Sequence, residues 1–284
     1  MSTPNPVSRC LTLLSALAVW PACYTLGVYL VATLALELET PSGSTVAFLL
    51  LIAHICYLLD RVKLSDSRQD PADAIALPQR ALLFAERSRL LRMLLIAEAI
   101  LASIVGWWIS TILVLIPLGA LFGVHLYAGR AASPGAPRLK DLPALKSFFI
   151  SSAHIALVVA VLWGNDHNLI EHPRARVLLS IAGLWLVVSA DAILCDIDDA
   201  QSDALYATLS LPVLLGKARS WALAIFMLLI GSGLLFSINV HDRAILICVI
   251  GLTLSAGATL NMKNRRDLID ARLLPIALFA LLLR

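Results

Sequence analysis

Three aspartates carry the clearest chemical signal in the chain. Asp196, Asp199 and Asp203 stand in the run Cys195-Asp196-Ile197-Asp198-Asp199-Ala200-Gln201-Ser202-Asp203, spaced i, i+3 and i+7. At about 100° per residue they fall within roughly 60° of one another on a helix. Like charges so placed repel by about 0.2–0.5 kcal/mol per neighbouring pair, and negative charge at a helix C-terminus opposes the macrodipole. A divalent cation removes both penalties, and Mg²⁺ accepts one or two carboxylates together with waters and phosphate oxygens. The alternative is a solvated acidic cap. Asp198 points away from the other three on such a helix. A second polar run, Tyr57 to Asp70, interleaves Asp60, Asp66 and Asp70 with Arg61, Lys63 and Arg68. There Asp66 and Asp70 are i, i+4 neighbours, and the alternative reading is a loop rich in basic residues.

Apolar helices must position these groups. The chain has 284 residues, 60% of them apolar and only 14% charged, with a mean hydropathy of +0.86. Soluble domains carry about 25% charged residues, so the composition indicates a polytopic integral membrane protein. The net charge of +3 is spread in short clusters and provides no nucleic-acid surface. The five cysteines form no CxxC and read as small buried apolar residues. A spanning helix needs about 20 apolar residues. Charge-poor runs meet that need at Cys10–Leu36, Thr40–Leu59, Met93–Gly129 (two helices with a turn near Gly106–Ser110), Ser147–Asn165, Val177–Cys195, Ser220–Val240 and Ala244–Met262. A ninth helix begins near Leu268. The run after Arg9 is longer than the apolar core of a signal peptide and reads as the first span.

Loop charge gives an orientation. With the N terminus in the cytoplasm, 18 of the 22 Lys and Arg fall on the inner side. The expected architecture is all-α, with about nine transmembrane helices around a central cavity. Residues 1–284 form one transmembrane domain, and 60–92, 130–146 and 196–219 are cytoplasmic loops that cap the cavity. The two acidic runs occupy equivalent places, the cytoplasmic ends of helices two and six. That suggests a pseudo-repeat of four-helix units, with both runs facing the cavity. Trp107 and Trp108 read as interfacial anchors at the outer turn.

With these residues in place, the chain resembles the UbiA-type intramembrane prenyltransferase superfamily. That family has nine helices and two aspartate-rich motifs at the cytoplasmic ends of helices two and six. Its second motif, N-D-I-x-D-x-x-x-D followed by T-L-P-V-x-L-G, is similar to Cys195–Asp203 followed by Ser210-Leu211-Pro212-Val213-Leu214-Leu215-Gly216. Pro137–Lys146 resembles the basic loop before the fifth helix. In the first motif, anchored on Tyr57, the family's Asn falls on Asp60, its first Asp on Arg61 and its later acids on Leu64 and Arg68. In the second, Cys195 replaces Asn, Ala204 a common basic residue and Ala207 a Gly.

The resemblance implies an Mg²⁺-dependent prenyltransferase that moves a prenyl group from a prenyl diphosphate to a lipophilic or aromatic acceptor. It implies a bilayer setting, expected to be a bacterial inner membrane, with the active site cytoplasmic. Asp196, Asp199 and Asp203 would hold the metal, with Asp66 and Asp70 substituting for the lost first-motif acids. Arg61, Lys63, Arg138, Lys140 and Lys146 would neutralise the diphosphate. Tyr57 and Asp60 complete the catalytic set, Tyr57 by facing an allylic cation. A UbiA-type terpene cyclase is the alternative enzyme. A non-enzymatic carrier is the third reading, suggested by the intramembrane acids Glu98 and Asp191. His54, His125 and His154 lie on helices two, four and five, either facing the cavity or bonding between helices.

Overall fold

A computed structural model describes residues 13–62, 78–128, 138–165, 172–205, 207–238, 242–259 and 265–284. Lys63, Asp66 and Asp70 lie outside the described residues. Among those described, nine long helices follow in order: α1 (Val19–Ala35), α2 (Gly43–Val62), α3 (Pro78–Ile109), α4 (Ile116–Ala128), α5 (Leu145–Asn165), α6 (Arg174–Leu205), α7 (Lys217–Ser237), α8 (Arg243–Ala258) and α9 (Arg265–Leu282). A five-residue helix, Leu211–Leu215, precedes α7, and 3-10 turns precede α4 and α5. The fold is all-α, and no strand occurs among the described residues. By length and composition, six helical segments are long and apolar enough to cross a membrane; α1 and α8 are shorter and apolar. This is an integral membrane protein.

The helices close on one another. α1 packs on α2 and on α9, α2 on α3, α5 on α6, α6 on α7, and α8 on α9. Close approach is set by small residues. A Cβ on Gly183 of α6 would meet the Gly231 carbonyl oxygen of α7 at 2.9 Å, and one on Gly231 would meet the Gly183 oxygen at 2.6 Å. The two backbones therefore touch, as small residues allow where lipid gives helices no hydrophobic drive to associate. Gly27 of α1 lies equally close to the backbone of α9, with Leu274 N at 2.8 Å from a would-be Cβ.

Three helix boundaries differ from the hydropathy reading, each with a physical reason. The first apolar run is broken: Leu13–Ala16 is helical, Leu17–Ala18 turn, and Ala18 takes a left-handed φ of 62° before α1 begins. α3 starts at Pro78, a residue suited to a first helical turn because it lacks an N–H to orphan. Residues 78–92 of the segment read as loop are thus helical. α6 continues to Leu205, so Asp196, Asp199 and Asp203 lie within a helix and not after one. The turn between α3 and α4 falls at Ser110, where Trp107 and Trp108 are exposed.

Candidate active site

The last turns of α6 and the first of α5 build a polar pole. The Lys146 ammonium lies 3.0 Å from Asp196 Oδ1, 3.3 Å from Asp199 Oδ2 and 2.9 Å from Asp203 Oδ2. The ammonium thus lies within ion-pair distance of all three carboxylates, with its hydrogen bonds going to Asp199 and to both oxygens of Asp203. The spacing noted in the sequence does put the acids on one face, and α5 sets a base against that face. Ser147 Oγ donates to Asp196 Oδ2 at 2.6 Å. Arg266, at the start of α9, donates a guanidinium N–H to Asp199 Oδ2, and its backbone N–H reaches Asp198 at 3.3 Å. Asp198 points away from the triad, as the helical spacing requires.

The loop before α5 is tied to the loop after α6. Asp141 accepts from Arg138 Nε at 2.9 Å, from Arg138 N at 2.9 Å and from Thr208 Oγ1 at 2.6 Å. Backbone bonds link Ala144 N to Leu209 O and Leu209 N to Asp141 O. Burial pushes the Asp141 carboxyl up. The hydrogen bonds from Arg138 and Thr208, with the guanidinium charge, outweigh burial and hold it below the ordinary carboxylate range. Ala144 and Ala207 both take left-handed φ, 59° and 58°. The Gly that the resemblance places at 207 would adopt that φ without strain. Lys140 reaches across to Asp60 at 3.6 Å.

The pole opens into a cavity of about 240 Å³. Tyr57, Asp60, Arg61, Arg138, Lys140, Lys146 and the three acids of α6 all line it, and deeper along α5 and α6 so do Phe149, Ile150, Ala153, Val188 and Ala192. The polar end therefore grades into an apolar one. Tyr57 Oη lies 3.3 Å from His154 Nε2, whose other ring nitrogen meets the Ile150 carbonyl at 2.8 Å. Tyr24 packs edge-on against the same imidazole.

Several residues take roles that sequence reading did not assign. Arg61, expected at a diphosphate, has its guanidinium on the Ser15 and Ala16 carbonyls at the break before α1. It lines the cavity while capping that broken end. His54 adds Nε2 to the Leu17 carbonyl at 2.7 Å and Nδ1 to Glu98 at 2.9 Å. Asp191 is ion-paired with Arg272 and accepts from Tyr24 Oη at 2.9 Å. The intramembrane acids that suggested a carrier are thus both paired. Arg266, Arg272 and Tyr24 escaped notice because they read as loop charge or apolar filler. Arg266 and Asp270 at i, i+4 on α9 were the one available signal.

The donor chemistry of the triad suits a hard cation, but its arrangement does not. The point at which the three carboxylates meet is taken by the Lys146 ammonium, at hydrogen-bond distances rather than the roughly 2.0–2.1 Å that Mg²⁺ demands. Among the described residues, no group of three His, Cys, Asp or Glu is placed to hold a metal ion.

The fold is similar to that of a solved structure of digeranylgeranylglyceryl phosphate synthase, a protein described in membranes. The TM-score is 0.55 at 17% sequence identity, over 97% of this chain and 96% of that one. At that identity the likeness concerns the fold. No family model and no curated protein matches the sequence.

Proposed function

We propose that the protein is an intramembrane prenyl-transferring enzyme of the UbiA type. The observation that carries this reading is the cavity, which joins a pole of fixed charge to an apolar interior at the helix ends where the resemblance places the reaction. The likeness of fold to a digeranylgeranylglyceryl phosphate synthase supports it. In this reading the diphosphate head of a prenyl diphosphate sits at the pole. Lys140 and Arg138 face its oxygens, and the isoprenoid follows Phe149, Ile150 and Val188 inward. Pockets that enclose drug-sized ligands run to about 300–1,000 Å³. A cavity of about 240 Å³ holds the head and first isoprene units, and a longer tail leaves between helices into lipid.

Breaking the allylic C–O bond leaves charge on the departing diphosphate. Basic groups fixed beforehand stabilise that charge without reorganising. The allylic cation would be met in the cavity by the rings of Tyr24, Tyr57 and Tyr127, which line it. A lipophilic or aromatic acceptor then captures it. Closure on its own chain is the cyclase alternative, which the same aromatic lining would also serve. Pairing of Glu98 with His54 and of Asp191 with Arg272 weighs against the carrier.

The test uses the purified full-length chain in detergent with radiolabelled farnesyl and geranylgeranyl diphosphates. Release of inorganic diphosphate is expected, slowed roughly 10²-fold in Lys140→Ala. Product analysis with and without added lipid extract separates transfer from cyclisation. Absence of release with either substrate overturns the enzyme reading and brings the carrier forward.

A further inference from the structure

We infer that Lys146, assisted by Arg266, stands in for a divalent ion among Asp196, Asp199 and Asp203, so that this pole works with fixed cations in place of bound metal. The inference concerns the pole of the proposed enzyme but does not need the reaction, and its test reads metal binding and not turnover.

Three observations converge. The first is coordination. An ammonium has three N–H donors, and here it lies 2.9–3.3 Å from all three carboxylates, hydrogen-bonded to Asp199 and to both oxygens of Asp203 and ion-paired with Asp196. The side chain that brings it is 12% exposed, so water contributes little to solvating the charge. A divalent ion would have to expel this ammonium and draw each oxygen inward by about 1 Å. The second is charge. The triad with Lys146 and Arg266 carries one net negative charge, so most of the repulsion that would recruit a dication is already neutralised. Arg266 also holds the Asp199 oxygen that Lys146 shares, and two guanidinium or ammonium partners on one oxygen leave it poorly placed for a metal. The third lies across the cavity. Where the resemblance puts the first acid of the opposing motif, the chain has Arg61, a base committed to the Ser15 and Ala16 carbonyls. That position contributes positive charge to the cavity, which disfavours an ion held between the two halves.

The consequence is a pole whose counter-charge to the three aspartates is covalently part of the protein, beside Lys140 and Arg138 lining the same cavity. Fixed cations do not exchange with solvent, so binding of an anion at the pole would not depend on free Mg²⁺.

Mn²⁺ serves as the probe, followed by electron paramagnetic resonance on the full-length protein in detergent, alongside thermal unfolding in Mg²⁺ or EDTA. Wild type is expected to bind no Mn²⁺ at concentrations up to about 1 mM, with an unfolding midpoint indifferent to Mg²⁺. Lys146→Met leaves Asp196 and Asp203 without a cation and Asp199 with Arg266 alone. It is expected to unfold roughly 5 °C or more below wild type in EDTA, and to gain both Mn²⁺ binding and an Mg²⁺-dependent rise of its midpoint. If that variant fails to fold, Lys146→Met/Asp203→Asn removes one charge of each sign and is expected to show the same gain. The inference is overturned if wild type binds Mn²⁺ one to one with micromolar affinity that Asp199→Asn abolishes. It is equally overturned if removing Lys146 confers no metal binding.

Discussion

At the pole the end of α6 brings an excess of acid and the end of α2 a base, Arg61, and each is answered by a different kind of partner. Acids on α6 are met by side chains imported from distant helices, Lys146 from α5 and Arg266 from α9. Arg61 on α2 is met by backbone: the Ser15 and Ala16 carbonyls at the break before α1. The α6 acids are thus quenched by salt bridges and Arg61 by helix capping, while its neighbour Asp60 lies 3.6 Å from Lys140. The acid cluster is a tertiary arrangement that exists only when three helices have closed. Capping at α2 needs the segment before α1, 45 to 46 residues back in sequence, to fold against it. Two positions that look equivalent in the sequence have therefore diverged in what holds them.

The largest expected effect is below the pole, where Asp191 and Arg272 are each about 3% exposed and joined as a pair. Asp191→Ala leaves the buried Arg272 guanidinium with only the Leu252 carbonyl and Ser255 hydroxyl and no counter-charge, and should cost about 3–5 kcal/mol. Thermal unfolding in detergent would show it, and a double variant, Asp191→Leu with Arg272→Met, should recover most of the loss. No recovery would mean that the pair is not the coupling between α6 and α9.

Next comes the capped end. Arg61→Met removes the donor to two carbonyls and should cost about 1–3 kcal/mol. Hydrogen exchange should speed up over residues 13–18 while the end of α6 is unchanged. Faster exchange at both ends would break the contrast between capping and salt bridging.

A smaller effect concerns the tie between the loops flanking α5 and α6. The folded Asp141 carboxyl titrates below its unfolded value, so its contribution is complete at neutral pH and is lost as pH falls through the depressed value. Unfolding midpoints recorded from pH 7 into the acid range should drop more steeply for wild type than for Asp141→Asn. Smallest of all, Ala207→Gly relieves a left-handed φ of 58°. It should stabilise by about 1 kcal/mol, seen as a midpoint rise and no change in cavity ligands.

Much of this was legible in the residues. Charge-free runs marked most of the spans, and the i, i+3, i+7 spacing put Asp196, Asp199 and Asp203 on one face. The break at Ala18 left no mark, because an alanine in an apolar run carries neither charge nor a turn signature. Polar helix ends at 78–92 and 196–205 read as loops, since hydropathy registers composition and not hydrogen bonding. The partners of the acids were illegible for a different reason. Lys146 and Arg266 are about 50 to 70 residues from Asp199, and only the packing of α5 and of α9 against α6 brings them in. The same holds for Arg272, which sequence reading counted as orientation charge.

The lengths of α3 and α6 have a further consequence. At 1.5 Å per residue, 32 residues span about 48 Å against a hydrocarbon core of about 30 Å. Both helices end near the turns and loops that mark the opposite face with Trp107 and Trp108, so the surplus emerges at the pole as a collar standing clear of the lipid. A charged headgroup can exchange with water inside that collar while its hydrocarbon stays in the bilayer. In the proposed reaction, a prenyl diphosphate would reach the pole by lateral diffusion, its ionised end at the collar and its hydrocarbon still in the bilayer.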